Sequence, residues 1–484
     1  MDPQYILGLD IGTSSVRAAL CNDKGEMLPE TLVKHERRLE SKLAGGAEID
    51  ADEALEQVVD VIDRVLGKSE GEIAFVAVSS FWHSLVGIDA DGKATTKLFG
   101  WADNQSRDYV RILRARFNEE EIHRRTGARF HSSYWPAKLL WLREEFPDVW
   151  KNTARWLSFS DYLAQKFFGS PATSISMASG TGIFDIRKCD WDPELLRFLK
   201  LDAARLPEIA VTHPPLTPKF AKRWPRLRRA QWFTAIGDGA ANNIGSGCMD
   251  KSKAALMLGT SGAIRIAYEG VPPDEIPPGL WCYRIDRKRV VIGGALSDGG
   301  GLYQWLRENF RIDERTEAEI ENRMPDCDGL AFMPFVAGER GTGYNEFAAG
   351  AIVGITTATT TIDILQAAME SVAYRFAEIY EQLAGISNIR EIAASGGALR
   401  ESRVWRQIIA DVLGRDLRLS DAREASLLGA VHFVLETAGK IEKIRTLPET
   451  SGAAVKCRKK HQIIYRKARK KHNEIYARLF GKPF

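Results

Sequence analysis

The apolar and polar positions of this 484-residue chain change rhythm repeatedly, and one rhythm occurs twice. Tyr5–Ile11 and Val16–Cys21 are β-rich runs on either side of Gly12-Thr13-Ser14-Ser15, which predicts strand, turn, strand. Asn22–Gly25 predicts another turn, and Met27–Lys34 a third strand. Leu55, Val58, Val59, Ile62, Val65 and Leu66 then fall at helical spacing behind Asp50 and Asp52, either of which can cap a helix. Ile73–Ser79 is a continuous apolar strand of the kind buried on both faces.

Residues 105–230 predict helices and irregular chain, with Lys138–Glu145 as an amphipathic helix. The five prolines between Pro207 and Pro225 predict loop or linker. The opening rhythm then returns. Ala254–Leu258, Gly259-Thr260-Ser261 and Gly262–Ala267 again read strand, turn, strand, and the two Gly-Thr-Ser triplets lie 247 residues apart. Two sheets of related design are expected, each aiming a turn at a shared cleft. Helices follow at Leu302–Phe310, 361–384 and 402–414, with a strand at Ile389–Ser395. The pattern is that of mixed sheets covered by helices, an α/β architecture, divided into 1–246 and 247–484.

Composition adds exclusions. Lys and Arg total 67 against 64 Asp and Glu, a balance that argues against a nucleic-acid coat. No apolar run approaches the roughly 18 residues of a membrane span, and Met1-Asp2-Pro3-Gln4 has no basic stretch before its strand, so no signal peptide and a cytoplasmic place are expected. The six cysteines, Cys21, Cys189, Cys248, Cys282, Cys327 and Cys457, have no metal-ligand or redox spacing and read as thiols of a reducing compartment. Residues 456–484 carry eleven Lys/Arg and one Glu with apolar positions interleaved, which predicts a basic helix docked on its domain.

Some residues could carry chemistry. A Gly-Thr-Ser turn puts backbone N–H groups and hydroxyls on a concave bend, a natural phosphate cradle. Asp10, at the strand end before the first bend, is placed to hold Mg²⁺, often through its waters. In Gly237-Asp238-Gly239-Ala240-Ala241 a single carboxylate stands among small residues at a helix start. A hydroxyl that attacks phosphorus needs one base within about 2.6–3.2 Å, and Asp238 suits that role better than that of a helix cap. Phe81-Trp82-His83-Ser84 and Gly100–Arg107 combine indole faces with polar groups, as polyol contacts require. Ser395-Gly396-Gly397-Ala398-Leu399 lets a flat base or ribose pass close to the backbone. Gly87–Lys93 imitates a P-loop, but Ala94 follows the lysine and a hairpin turn is the better reading. The Gly299–Gly301 cluster lacks the strand and downstream acid of a dinucleotide site.

Taken together these segments resemble the FGGY family of carbohydrate kinases, over nearly the whole chain and in order. Asp10–Arg17 is similar to the first phosphate motif, Gly237–Ala241 to the catalytic-Asp motif, Gly259–Ser261 to the second phosphate motif and Ser395–Gly397 to the adenosine motif. Gly338-Glu339-Arg340 is similar to the family's Gly-Glu-Arg loop, and Gly350–Ile355, Asp363-Ile364 and Ala367–Glu370 to its C-terminal signature. Trp82–Leu85 followed by Trp101–Asn104 looks most like the gluconokinase branch. The chain departs from the pattern at Gln105, at Glu401 and at Gly341-Thr342-Gly343, where Ser/Thr-Pro commonly follows the arginine.

The resemblance implies two ribonuclease-H-like domains, each with a mixed five-stranded sheet, around a cleft that takes ATP, Mg²⁺ and a sugar. By that likeness Asp238 is the base, and Asp10 with Asp238 holds the metal. Thr13, Ser14, Ser15, Arg17, Gly259 and Thr260 contact phosphates; Gly300, Gln304, Gly397 and Ala398 line the nucleotide slot. Trp82, His83, Trp101, Asp103 and Asp238 contact the sugar. The implied activity is phosphorylation of a primary hydroxyl, with D-gluconate first and a pentulose second. Gluconate would need a cation, for which Arg107, Lys138 and His83 are candidates. A chaperone-like ATP-binding protein and a sugar-binding regulator are the competing readings from other classes. The sequence leaves a homodimer open and gives no sign of nucleic-acid or membrane partners.

Overall fold

A computed structural model describes residues 4–37, 46–310, 312, 314–326, 329–420, 423–444 and 452–481. Cys327 and the first and last three residues of the chain lie outside that set. Two sheets built on one plan organise the chain. In the first, Gln4–Ile11 pairs antiparallel with Ser15–Cys21, which pairs antiparallel with Val33–Glu36; on its other side Gln4–Ile11 runs parallel to Glu72–Ser80. In the second, Lys253–Leu258 pairs antiparallel with Gly262–Glu269, and that strand with Arg289–Leu296; on its other side Lys253–Leu258 runs parallel to Glu391–Ser395. Leu417–Leu419 adds a fifth parallel place there, while Gln231–Trp232 and Ile236–Gly237 share the fifth place in the first sheet. Trp281–Arg284 and Ala454–Val455 extend the second sheet at its edges, beyond the five strands expected.

Burial explains the central strands. Every residue from Ile6 to Ile11 is buried, because helices cover both faces and leave no solvent side. Asp50 caps the helix Ala51–Leu66 through Asp52 N and Glu53 N, and that helix covers one face with Ala54, Val58, Val61 and Val65. The helix Ala425–Thr437 covers the other, with Leu427 and Val431 against Gly8. It therefore crosses the division expected at residue 246. It also passes the helix Asp238–Gly245 at backbone distance: a Cβ on Gly429 would stand 1.8 Å from Ala241 O, and one on Gly245 1.9 Å from Ala425 O.

Three local expectations need correction. Met27–Lys34 is not one strand; only a bridge at Met27 and the strand Val33–Glu36 form. Pro29 has no N–H for the ladder, and Glu30 adopts a φ of 58°. Trp135–Glu145 is a helix, but not an amphipathic one: Lys138 lies inside with Leu139, Leu140 and Leu142. The proline-rich stretch contains a helix, Pro218–Arg223, which opens on one of those prolines. The basic tail forms the helix Lys459–Phe480, with Tyr465, Ala468, His472 and Tyr476 buried. Among the described residues no helix is long and apolar enough to cross a membrane.

Candidate active site

Both Gly-Thr-Ser bends open onto one cavity of about 1410 Å³. Asp10, Thr13, Ser14, Ser15 and Arg17 reach it from the first sheet, and Gly259 and Thr260 from the second. Gly300, Gln304, Gly397 and Ala398 line it too, as does Asp238. Each bend is closed by its glycine N–H, though one residue tighter in the second: Gly12 N donates to Ser15 O at 2.9 Å, and Gly259 N to Ser261 O at 2.9 Å. The start of the helix Gly300–Asn309 nests on the second bend: Gly300 N donates to Gly259 O at 2.7 Å and Gly301 N to Thr260 O at 3.0 Å. Gly396 has a φ of 106°, and a Cβ there would stand 2.2 Å from Leu258 O, so this turn needs glycine. A Cβ on Gly397 would meet nothing within 4 Å, which leaves a flat, open floor.

Asp10 is buried. Ser79 Oγ donates to its Oδ1 at 2.9 Å, and Arg17, its cross-strand partner, reaches Oδ2 at 3.2 Å. Burial lifts its pKa to about 6 against the pull of Arg17 and Ser79, and the charges of Asp238 and Glu424 add to the rise. Asp238 is the first residue of its helix, with Gly239 N donating to Oδ1 at 2.7 Å. Its pKa is also raised by burial, while Arg265 and Arg340 pull the other way. Two carboxylates that are costly to ionise together suit a divalent cation, whose charge would relieve both. Among the described residues no cluster of three or more acids, histidines or cysteines could cage a metal. A cation at Asp10 and Asp238 would thus complete its shell from water and phosphate oxygens, the habit of Mg²⁺.

The glycines around Asp238 have a packing cause. Trp82 lies beneath them: a Cβ on Gly237 would stand 1.8 Å from its ring, and one on Gly239 2.4 Å from Arg265 and 2.7 Å from Trp82. The indole is buried, and Nε1–H donates to Ser176 O at 2.9 Å. Trp82 is therefore the bed of the Asp238 helix and is not brought to the cavity as a stacking face. Asp103 is also turned inward, fully buried, accepting from Ala47 N at 3.0 Å and Gln105 Nε2 at 2.8 Å. The unexpected Gln105 is thus the partner that shapes its turn.

His83 has a φ of 69° and packs edge-on against Tyr134 and Tyr283. Its Nδ1 faces Gly180 O at 2.5 Å; a carbonyl only accepts, so Nδ1 carries the proton and Nε2 is left as an acceptor. Burial pushes its pKa down to about 3, helped by Arg340 and Lys138, which keeps the ring neutral. Trp101 lines the cavity and donates Nε1–H to Thr13 Oγ1 at 3.1 Å.

Of the expected cations, Arg107 is exposed and lies over the Phe347 ring. Lys138 is fully buried and donates to the carbonyls of Asp103 and Ser132. A further buried cation, close to Trp101 and His83, is Arg340, which the sequence presents only as part of a motif. Its guanidinium lies 4.1 Å over Trp101, Nη2 donates to Leu296 O at 3.0 Å, and its charge acts on both His83 and Asp238.

Comparison with known proteins agrees with this geometry. Residues 5–218 match the N-terminal domain of the FGGY family of carbohydrate kinases and residues 254–434 its C-terminal domain. The chain is 28% identical over 468 residues to a gluconokinase of Bacillus subtilis (strain 168), covering 93% of this chain and 90% of that one. It matches a gluconate kinase from Lactobacillus acidophilus with a TM-score of 0.89 at 26% identity, covering 99% and 98% of the two chains. A ligand-bound xylulose kinase from the same organism gives the same TM-score and identity, over 98% of each chain. Two matched domains, in order on two sheets of one plan around one cavity, place the chain in the FGGY family of carbohydrate kinases, as an ATP-dependent sugar kinase.

Proposed function

We propose that this kinase transfers the terminal phosphoryl group of ATP to the primary hydroxyl of D-gluconate, with Asp238 as general base. The observation that carries the choice of a sugar acid is Arg340. Among the described residues its Nε is enclosed without a hydrogen-bond partner and its guanidinium makes no salt bridge. Burial holds its pKa below the usual arginine range. Asp238 and Asp298 lie within electrostatic reach of that charge without pairing with it. An enclosed charge with no direct partner is costly, and a ligand carboxylate would supply a two-pronged one. The gluconokinase and gluconate kinase relatives favour the same reading.

Asp238 would take the hydroxyl proton as the oxygen attacks phosphorus; the new O–P bond forms while the bond to the ADP oxygen breaks. Its raised pKa makes the carboxylate a better proton acceptor than an exposed one. Thr13, Ser14, Ser15 and Thr260 would turn hydroxyls and N–H groups toward the phosphates, and Gly397 and Ala398 would floor the nucleoside. Mg²⁺ at Asp10 and Asp238, when bound, supplies positive charge to the phosphate oxygens. The Nε2 of His83 would accept from a substrate hydroxyl. Across the cleft, Ser132 N and Oγ each donate to Glu346 at 2.6 Å, and His123 Nε2 donates to Leu280 O at 2.8 Å, contacts that join the lobes and help exclude water.

The second reading, a pentulose kinase, is favoured by the equal likeness to the xylulose kinase. An ADP-release assay with D-gluconate, D-xylulose, D-ribulose and glycerol tests both. The expected result is the highest kcat/KM with gluconate; a higher value with xylulose replaces the first reading with the second.

A further inference from the structure

The basic C-terminal helix has no assigned role, yet it reaches the loop behind the sugar side of the cleft. Two polar contacts fix its buried edge, one to the neighbouring strand Ala331–Met333 and one to that loop. His472 Nε2–H donates to Phe332 O at 3.0 Å, and Tyr476 Oη donates to Glu339 Oε2 at 2.6 Å.

Glu339 is the residue before Arg340. It is buried, accepts from Gly343 N at 3.2 Å on Oε1, and pairs through the same oxygen with Arg375. Arg375 in turn pairs with Glu378 at 2.7 Å and donates to Thr342 Oγ1 at 3.1 Å, and its guanidinium lies 5.1 Å over the Tyr476 ring. Asn345 Nδ2 makes a second tie to the helix, donating to Phe480 O at 3.1 Å. Gly343 is what lets the hydroxyl in: a Cβ there would stand 2.3 Å from Tyr476 Oη. Residues on both sides of Arg340 are therefore held from behind, while Arg340 itself projects forward onto Trp101 and Leu296 O.

We infer that Tyr476 is a positioning residue for the sugar site: through Glu339 it sets the loop that carries Arg340 against Trp101. The inference rests on the reading of Arg340 as the residue that holds the substrate. Removing the hydroxyl would leave a buried carboxylate one donor short and free the loop to shift, which weakens substrate binding more than the chemical step.

The test is Tyr476→Phe in the full chain. The expected result is a KM for the phosphorylated polyol raised about 3–10-fold, the net worth of one hydrogen bond, with kcat and the KM for ATP unchanged. Asn345→Ala should move the same KM in the same direction by a smaller factor. Ile463→Ser, on the exposed face of the helix, should change neither constant. In combination with Arg340→Lys, Tyr476→Phe should add nothing to the KM, because both act through one group. A lower Tm with an unchanged KM, or a KM effect that adds fully to that of Arg340→Lys, overturns the inference. The measurement is made on whichever polyol the panel shows to be turned over, so a failure of gluconate as substrate is told apart from a failure of Tyr476.

Discussion

The two hairpins occupy equivalent places in their sheets, yet they differ at the strand position two residues before the glycine. In the first sheet Asp10 lies beside Ser79 on the parallel strand; in the second Met257 lies beside Ser395. The serine is kept and the acid is not. Ser79 donates to Asp10, whereas the buried Ser395 Oγ has no partner among the described residues and its residue lines the cavity. One architecture thus gives two chemistries: the first lobe brings the carboxylates that suit a cation and a proton, and the second brings N–H groups, glycines and an unclaimed hydroxyl that suit a nucleotide.

If the carboxylates that meet the cation and the proton belong to the first lobe alone, the largest effects must come from Asp10 and Asp238. Asp238→Asn is expected to lower kcat by roughly 10²–10⁴ with nucleotide binding near normal, the loss of a general base. Calorimetric titration with nucleotide beside steady-state kinetics checks this, and full turnover would remove Asp238 from the mechanism. Asp10→Asn should lower activity by about 10–100-fold and raise the Mg²⁺ needed for half-maximal rate, as loss of a group that orients a metal does. Met257→Leu, at the matching place in the second lobe, conserves volume and should leave the Mg²⁺ dependence as it was. Equal effects at the two positions would break the comparison.

The repeated plan is legible in the sequence because its signals are local: a β-rich run, three turn residues and a second run, twice. The residues that line the cavity from those turns, and Asp238 among its glycines, can be found the same way. Trp82, Asp103 and Lys138 cannot, because their surroundings come from distant chain. Trp82 lies under Gly237 and donates to Ser176, Asp103 accepts from Ala47, and Lys138 is closed in by Ser132 and Asp103. An indole or a charge in a turn looks alike in sequence whether it faces a ligand or the core. Arg340 is visible as part of a motif, but its direction depends on Glu339 being held by Arg375 and Tyr476 from behind.

The smallest effect separates the two serines. Asp10 has a pKa of about 6, raised by burial, so the carboxylate that suits the cation is lost as pH falls through that value. The kcat/KM for Mg·ATP at saturating sugar, which reports the enzyme before nucleotide binds, should rise with pH through about 6 and then level. Ser79 donates to the ionised form and lowers that pKa, so Ser79→Ala should move the rise to higher pH without abolishing it. Ser395→Ala has no carboxylate beside it in the matching place and should leave the rise where it is. Its effect should instead be a KM for ATP about 2–10-fold higher, one neutral hydrogen bond's worth, if the unclaimed hydroxyl meets the nucleotide. A pH shift in Ser395→Ala, or none in Ser79→Ala, would mean that the shared serine does not divide its task between the lobes in the way their two neighbours, an acid and a thioether, require.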